Sequence, residues 1–89
     1  MINKELTITN KLGLHARAAA KLVALASSYQ SRIFIEKEGK KVNCKSIMGV
    51  MMLAASQHST VNVTVTGNDE EDAITHIEIL FNSCFEEEE

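Results

Sequence analysis

His15 and Arg17 stand two residues apart in the stretch Asn10-Lys11-Leu12-Gly13-Leu14-His15-Ala16-Arg17-Ala18-Ala19, where a glycine-containing turn runs into a helical pattern. An imidazole at a helix N-terminus meets unsatisfied backbone N–H groups and the positive end of the macrodipole, which disfavour a cation and favour an added anion. The neutral ring expected there is a nucleophile. A guanidinium in the same first turn is at the electrostatically wrong end of a helix, so helix stability explains Arg17 poorly. An incoming phosphoryl group explains it well, because imidazole, amides and guanidinium fork together could accept such a group and neutralise its oxygens. The bland reading is a solvated histidine beside a chance arginine. No second His, Cys or carboxylate lies near enough in sequence to complete a metal set or a triad, so neither metal nor cofactor is expected.

The charge distribution points the same way. The chain has 89 residues, 45% of them apolar and 24% charged, with a formal net charge of −3. All nine Lys and Arg lie at or before Lys45, giving that half a net +6, while residues 46–89 carry nine acids and no Lys or Arg. Between Leu6 and Ile35 there is no acid at all, whereas Lys11, His15, Arg17, Lys21 and Arg32 fall there, a segment suited to an anion. Lys11, Lys21 and Lys45 are expected to ring the site. A nucleic-acid partner is disfavoured by the acidic balance and by aromatics at only 4%. No basic stretch leads into a long apolar run at the start, and the longest nearly uninterrupted apolar stretch, Ile47 to Ala55, is far short of the roughly 20 residues needed to span a bilayer. A cytoplasmic protein of one domain, residues 1–89, is expected, with Cys44 and Cys84 as free thiols.

Four strands and three helices must hold that site. Apolar and polar residues alternate through Leu6–Thr9, Arg32–Glu36 and Val61–Val65, and a shorter strand around Lys41-Val42-Asn43 follows a hairpin turn at Glu38-Gly39. Helical spacing appears at Ala19, Leu22, Val23 and Ala26 and again at Ala73, Ile74, Ile77, Leu80 and Phe81. A shorter helix is expected from Ile47 to about Ala55. Asn68 with Glu71 suggests a capping box for the last helix. The order strand, helix, strand, strand, helix, strand, helix suits an α+β two-layer sandwich, with helices on one face of an antiparallel sheet and the other face open.

Ser46 precedes the short helix, and its hydroxyl is expected to cap it. Val50 and Leu53 fall on one side of that helix and Ile47, Met48 and Met51 on the other, together with Met52. So short a helix cannot bury both sides, so Ile47, Met48 and Met51 are read as a partner-docking patch shared with Leu14. His76, four residues after Asp72, reads as half of a surface ion pair.

The stretches NKLGLHARAAAKL and CKSIMGVMMLAA resemble the histidine-containing phosphocarriers of the HPr family, which serve the bacterial phosphoenolpyruvate-dependent phosphotransferase system. The resemblance covers essentially the whole chain, and the ending LFNSCFEEEE is closer to the nitrogen-branch form, NPr, than to the sugar-uptake form. It implies an open-faced β-sandwich with a four-stranded antiparallel sheet of order 1-4-2-3, covered on one face by three helices. It further implies that His15 takes a phosphoryl group on Nδ1 from enzyme I and passes it to an EIIA-type acceptor, with Arg17 beside the phosphohistidine. The protein would then be a transfer intermediary, with no turnover of its own, acting as a monomer. In some bacteria a serine kinase of this system modifies the position of Ser46. The alternative is an interaction module that uses the same surface without carrying phosphate. Three positions depart from the family pattern: Ala18 replaces a frequent proline, His58 a frequent glycine closing the second helix, and Cys84 a frequent glycine near the chain end, where the path of the last residues is left open. His58 is expected to be left-handed or to end the helix differently.

Overall fold

The computed structural model describes residues 1–86. Strands β1 (Ile2–Thr7), β2 (Arg32–Lys37), β3 (Lys40–Asn43) and β4 (Thr60–Thr66) form one antiparallel sheet in the order β1-β4-β2-β3. Its register follows from the alternation of side chains. Leu6, Ile33, Ile35, Val61, Val63 and Val65 are all buried on one face, and shifting any strand by one residue would turn its apolar set to water. Ile2 pairs with Val65 and Thr7 with Thr60 across β1 and β4, and Ile35 pairs with Val63 across β2 and β4.

Helices α1 (Ala16–Ser27), α2 (Ile47–Met52) and α3 (Glu70–Asn82) belong to the covering layer. The face of α1 made by Ala18, Ala19, Leu22 and Ala26 is buried, as is the α3 face made by Ala73, Ile74, Ile77, Leu80 and Phe81. After α3, Cys84, Phe85 and Glu86 turn left-handed, with φ of 56°, 55° and 61°. That turn folds Phe85 back into the core, its ring centroid 4.8 Å from that of Phe81. The Glu38-Gly39 hairpin forms as expected, with φ of 51° and 82°. Residues 87–89 of the acidic tail lie outside the described residues.

Three local expectations need correction. Strand β1 starts at Ile2, before the alternating run, because pairing with β4 rather than alternation sets its start. The short helix ends at Met52, not near Ala55, since Ala54 turns left-handed with φ 50°. The Asn68–Glu71 capping box is absent. Asp69 is the N-cap of α3, yet its carboxylate does not cap; it accepts instead from Gln30 N–H (2.8 Å), Ser31 N–H (3.0 Å) and the Ser31 hydroxyl. Glu70 reaches back to accept from Gly67 N–H at 3.0 Å. His58 is left-handed, with φ 73°, as expected from its departure from glycine.

Asp69 thereby staples the start of α3 to the loop between α1 and β2. The Ser31 hydroxyl first, and then the Gln30 N–H, hold its carboxyl below the ordinary carboxylate range. A depressed folded-state pKa contributes stability that is present above the unfolded value of about 4 and lost as pH falls through the lower folded value. Asp69→Asn is therefore expected to be less stable than the parent at neutral pH and to lose less on acidification. Melting temperatures measured from pH 6 down to pH 2 check this; parallel curves for the two proteins would contradict it.

Candidate functional site

The site begins in the segment joining β1 to α1. Asn10 and Gly13 close a turn, with Gly13 N–H donating to the Asn10 carbonyl at 3.2 Å and Asn10 Nδ2 donating to the Gly13 carbonyl at 2.7 Å. Only glycine suits position 13: its φ is +68°, and a Cβ there would lie 2.4 Å from the Ala55 carbonyl oxygen. Leu14 N–H then donates to that same oxygen at 2.8 Å. His15 follows as N-cap of α1, with extended backbone (φ −75°, ψ −179°) and a half-buried side chain that makes no capping hydrogen bond. Its carbonyl accepts from Ala19 N–H at 2.8 Å, so the helix starts immediately behind it.

Arg17 is exposed on the first turn of α1, which contains no acid. Among the described residues no carboxylate forms an ion pair with it. Ala18, standing where relatives often have proline, is fully buried and starts the apolar stripe without disturbing the helix. The structure thus brings together an imidazole not used for capping, the first-turn amides of a helix and a guanidinium with no carboxylate partner among the described residues. Such a constellation can hold the three oxygens of an added dianionic phosphoryl group on the ring nitrogen.

Helix α2 carries the second motif. Ser46 is its N-cap, and the hydroxyl accepts from Gly49 N–H at 3.2 Å. Val50 and Leu53 are buried, whereas Ile47, Met48 and Met51 are exposed, Met48 to 66% and Met52 to 60%. Leu14 does not share this surface: it is 4% exposed, because the left-handed turn at Gly13 and the bond to Ala55 direct it into the core. The exposed leucine of the loop is Leu12, at 70%. The ring of lysines is also altered. Lys21 Nζ donates to the Phe85 carbonyl (2.8 Å), and Lys45 Nζ donates to the Tyr29 carbonyl (2.7 Å) just beyond the end of α1. Both ammonium groups hold the frame together in addition to contributing positive charge.

Tyr29 carries no local sequence signal, since its partner lies 47 residues away. Its hydroxyl is 2.8 Å from His76 Nδ1, and the two rings stack at 6.2 Å between centroids. Nδ1 also lies 2.9 Å from the Asp72 carbonyl. His76 does pair with Asp72, at 3.4 Å, but as part of this link between α1 and α3. Beside it a groove of about 460 Å³ is lined by Lys21, Ala24, Leu25, His76, Ile79 and Leu80 among others, with His15 not part of its wall. Cys44 is buried and its thiol is pushed up to about 12 by that burial, so it is inert; Cys84 Sγ sits 3.3 Å from the Thr9 hydroxyl. Both cysteines are free.

The family pattern described as PTS HPr component phosphorylation site matches residues 2–83. The chain belongs to the HPr family. A phosphocarrier protein HPr of Xylella fastidiosa is 51% identical over 88 residues, covering 99% of each chain. The crystal structure of an HPr from Thermoanaerobacter tengcongensis superposes with a TM-score of 0.96 at 48% identity, covering all of both chains. A dimer of HPr from the same organism superposes with a TM-score of 0.79 at 48% identity, over 98% of this chain and 100% of that one. The open-faced sandwich with sheet order 1-4-2-3 is therefore the HPr fold, and a phosphocarrier of the phosphotransferase system is the function that family membership carries. Among the described residues no helix is long and apolar enough to cross a membrane.

The capping geometry of Ser46 makes a direct prediction. Ser46→Ala is expected to destabilise the protein by about 1 kcal/mol through loss of the bond to Gly49 N–H, whereas Ser46→Asp retains an acceptor at a helix N-terminus and holds the parental melting temperature. Thermal or urea unfolding of the three proteins checks both; an unchanged Ser46→Ala would remove the cap from the energetics of α2.

Proposed function

We propose that His15 is the phosphoryl carrier, that enzyme I is its donor and an EIIA-type protein its acceptor. The supporting observation is the placement of His15 at the N-cap of α1 with its ring not used for capping, two residues before an arginine with no carboxylate partner among the described residues. The lone pair of Nδ1, the ring nitrogen nearer the main chain, attacks phosphorus. A P–N bond forms as the bond between phosphorus and the donor's leaving group breaks, with its electron pair leaving on the donor. The first-turn amides and Arg17 take the oxygens, whose charge in this place exists only while the phosphoryl group is present. In the second half-reaction the acceptor's nucleophile attacks the same phosphorus and the imidazole leaves with the P–N electron pair. The donor and acceptor supply the remaining catalytic groups, so the protein is an intermediary with no turnover of its own.

Ile47, Met48 and Met51 form the docking patch in this reading, with Leu12 as the exposed apolar residue of the loop in place of Leu14. Ser46 is the regulatory position: a serine kinase of the same system would add a dianion at the start of α2, compatible with the helix but repelled by partners that accept the positive half of the molecule. The protein works as one unit of residues 1–89, as a monomer, in the cytoplasm. A dimeric neighbour structure makes the oligomeric state an experiment, by sedimentation at micromolar concentration. The relative and structures above carry the plain HPr name, so the nitrogen branch rests on the chain ending alone. Transfer to a nitrogen-type EIIA in preference to a sugar-specific one would establish it.

Incubation with phosphoenolpyruvate and enzyme I is expected to give an acid-labile, base-stable adduct that His15→Ala lacks. An adduct surviving that substitution would place the carrier elsewhere, and no adduct on the parent would favour the interaction module. Arg17→Ala is expected to keep the parental melting temperature and to slow transfer about 10- to 100-fold, the equivalent of one or two charge-assisted bonds at about 1.5 kcal/mol each. Met48→Asp is expected to raise the KM for enzyme I about tenfold or more while stability stays within about 0.5 kcal/mol of the parent. A steep fall in melting temperature for Met48→Asp would instead make it a core residue.

A further inference from the structure

The segment that delivers His15 is held on both sides of its turn, mostly by one other piece of chain. Ile8 N–H donates to the Ser59 carbonyl (2.9 Å), His58 N–H to the Ile8 carbonyl (2.7 Å) and Gln57 Nε2 to the Thr9 carbonyl (3.2 Å), before Leu14 N–H meets the Ala55 carbonyl. Residues 55–59, which leave α2 for β4, are thus an outer rail. Across the turn from Asn10 to Gly13 the inner hold is the Asn10 side chain. Asn10 is fully buried, and its Nδ2 donates to the Gly13 carbonyl at 2.7 Å. A buried amide is costly unless hydrogen-bonded, and an apolar residue would fill the same space without that cost. What an apolar residue cannot do is fix the plane of the Gly13 peptide.

That plane needs fixing. Glycine is required at position 13 because the main chain approaches Ala55 and Ser56 too closely for a Cβ, yet glycine is also the residue with the widest backbone freedom. Its carbonyl belongs to the peptide leading into Leu14, and His15 is the next residue, held from behind by the Ala19 N–H on its carbonyl. Rotation of the Gly13–Leu14 peptide would move the start of α1 relative to the imidazole. We propose that Asn10 is a positioning residue for His15: its buried amide locks the left-handed Gly13 turn so that the ring is presented at the helix N-terminus in one pose. The inference rests on His15 being the carrier. It predicts a loss chiefly in the transfer step, since Asn10 is buried and, Leu12 apart, the docking residues Ile47, Met48 and Met51 lie on α2.

The test compares parent and Asn10→Ala as intact proteins, below their melting temperatures, in phosphoryl uptake from phosphoenolpyruvate over a range of enzyme I concentrations. The expected result is a kcat lowered about tenfold with the KM for enzyme I within twofold of the parent. Ring signals of His15 in NMR spectra are expected to shift or broaden while those of His76, on α3, stay in place. If Asn10→Ala does not fold, the milder Asn10→Ser carries the same comparison. A parental kcat in the folded variant, whatever its melting temperature, or a loss confined to KM, would overturn the positioning role alone. A parent that takes up no phosphoryl group on His15 would overturn the carrier reading and this inference with it.

Discussion

The pairing of β1 with β4 is the constraint from which the rest of the structure follows. It joins residues 2–7 to residues 60–66, so the sequence between them must return on itself and carry α1, the β2–β3 hairpin and α2 before β4 can close the sheet. The pairing does not stop at the end of β1. Bonds from Ile8 to Ser59 and His58, and from Leu14 to Ala55, extend it into the loop. The N-terminus of α1 is therefore laid against the exit of α2. Neither motif could reach the other by local structure alone; the sheet lays the histidine loop against the exit of α2.

Two helix N-termini result, and they are used differently. At α2 the N-cap Ser46 uses its hydroxyl to satisfy the Gly49 N–H, so its oxygen both stabilises the helix and stands where a phosphate would be tolerated. At α1 the N-cap is a histidine that makes no side-chain cap, and no acid sits in the first turn to use up the local positive potential. Helix α3 is the contrasting case, with Glu70, Glu71 and Asp72 in its first turn. An acid in the first turn of α1 would stabilise the helix and repel a phosphoryl group. The absence of acids from Leu6 to Ile35 is thus a local loss of helix stability that leaves room for an anion.

What was legible in the sequence is what repeats at short range. Val61, Val63 and Val65 announce a half-buried strand, and the stripe from Ala73 to Phe81 announces α3, because burial on one face imposes a period. Ser46, His15 and Arg17 were readable because a cap and a first turn are defined within four residues. The misses share the opposite property. The Asn68–Glu71 spacing conceals the role of Asp69, whose partners Gln30 and Ser31 are 38 or more residues away. Ala54 left-handed gives no signal, since nothing in an alanine requests that conformation. Leu14 and Leu12 flank the same glycine, and no period operates in a turn, so only the contact with Ala55 decides which one goes inward.

The same reasoning separates the lysines. Charge counting treats Lys11, Lys21 and Lys45 alike, but a long flexible side chain takes its place from whichever carbonyl it can reach. Lys45 finds the Tyr29 carbonyl just past the end of α1, where a cation complements the negative end of the helix, and Lys21 finds the carbonyl of the buried Phe85 in the left-handed terminal turn. These contacts fix α1 from its C-terminal end and from its flank. Arg17 differs from both, since among the described residues no carboxylate of the frame pairs with its guanidinium. A protein that passes a phosphoryl group on gains from this division, because cations bound to the frame attract an anion without gripping it, and an anion held weakly can leave again.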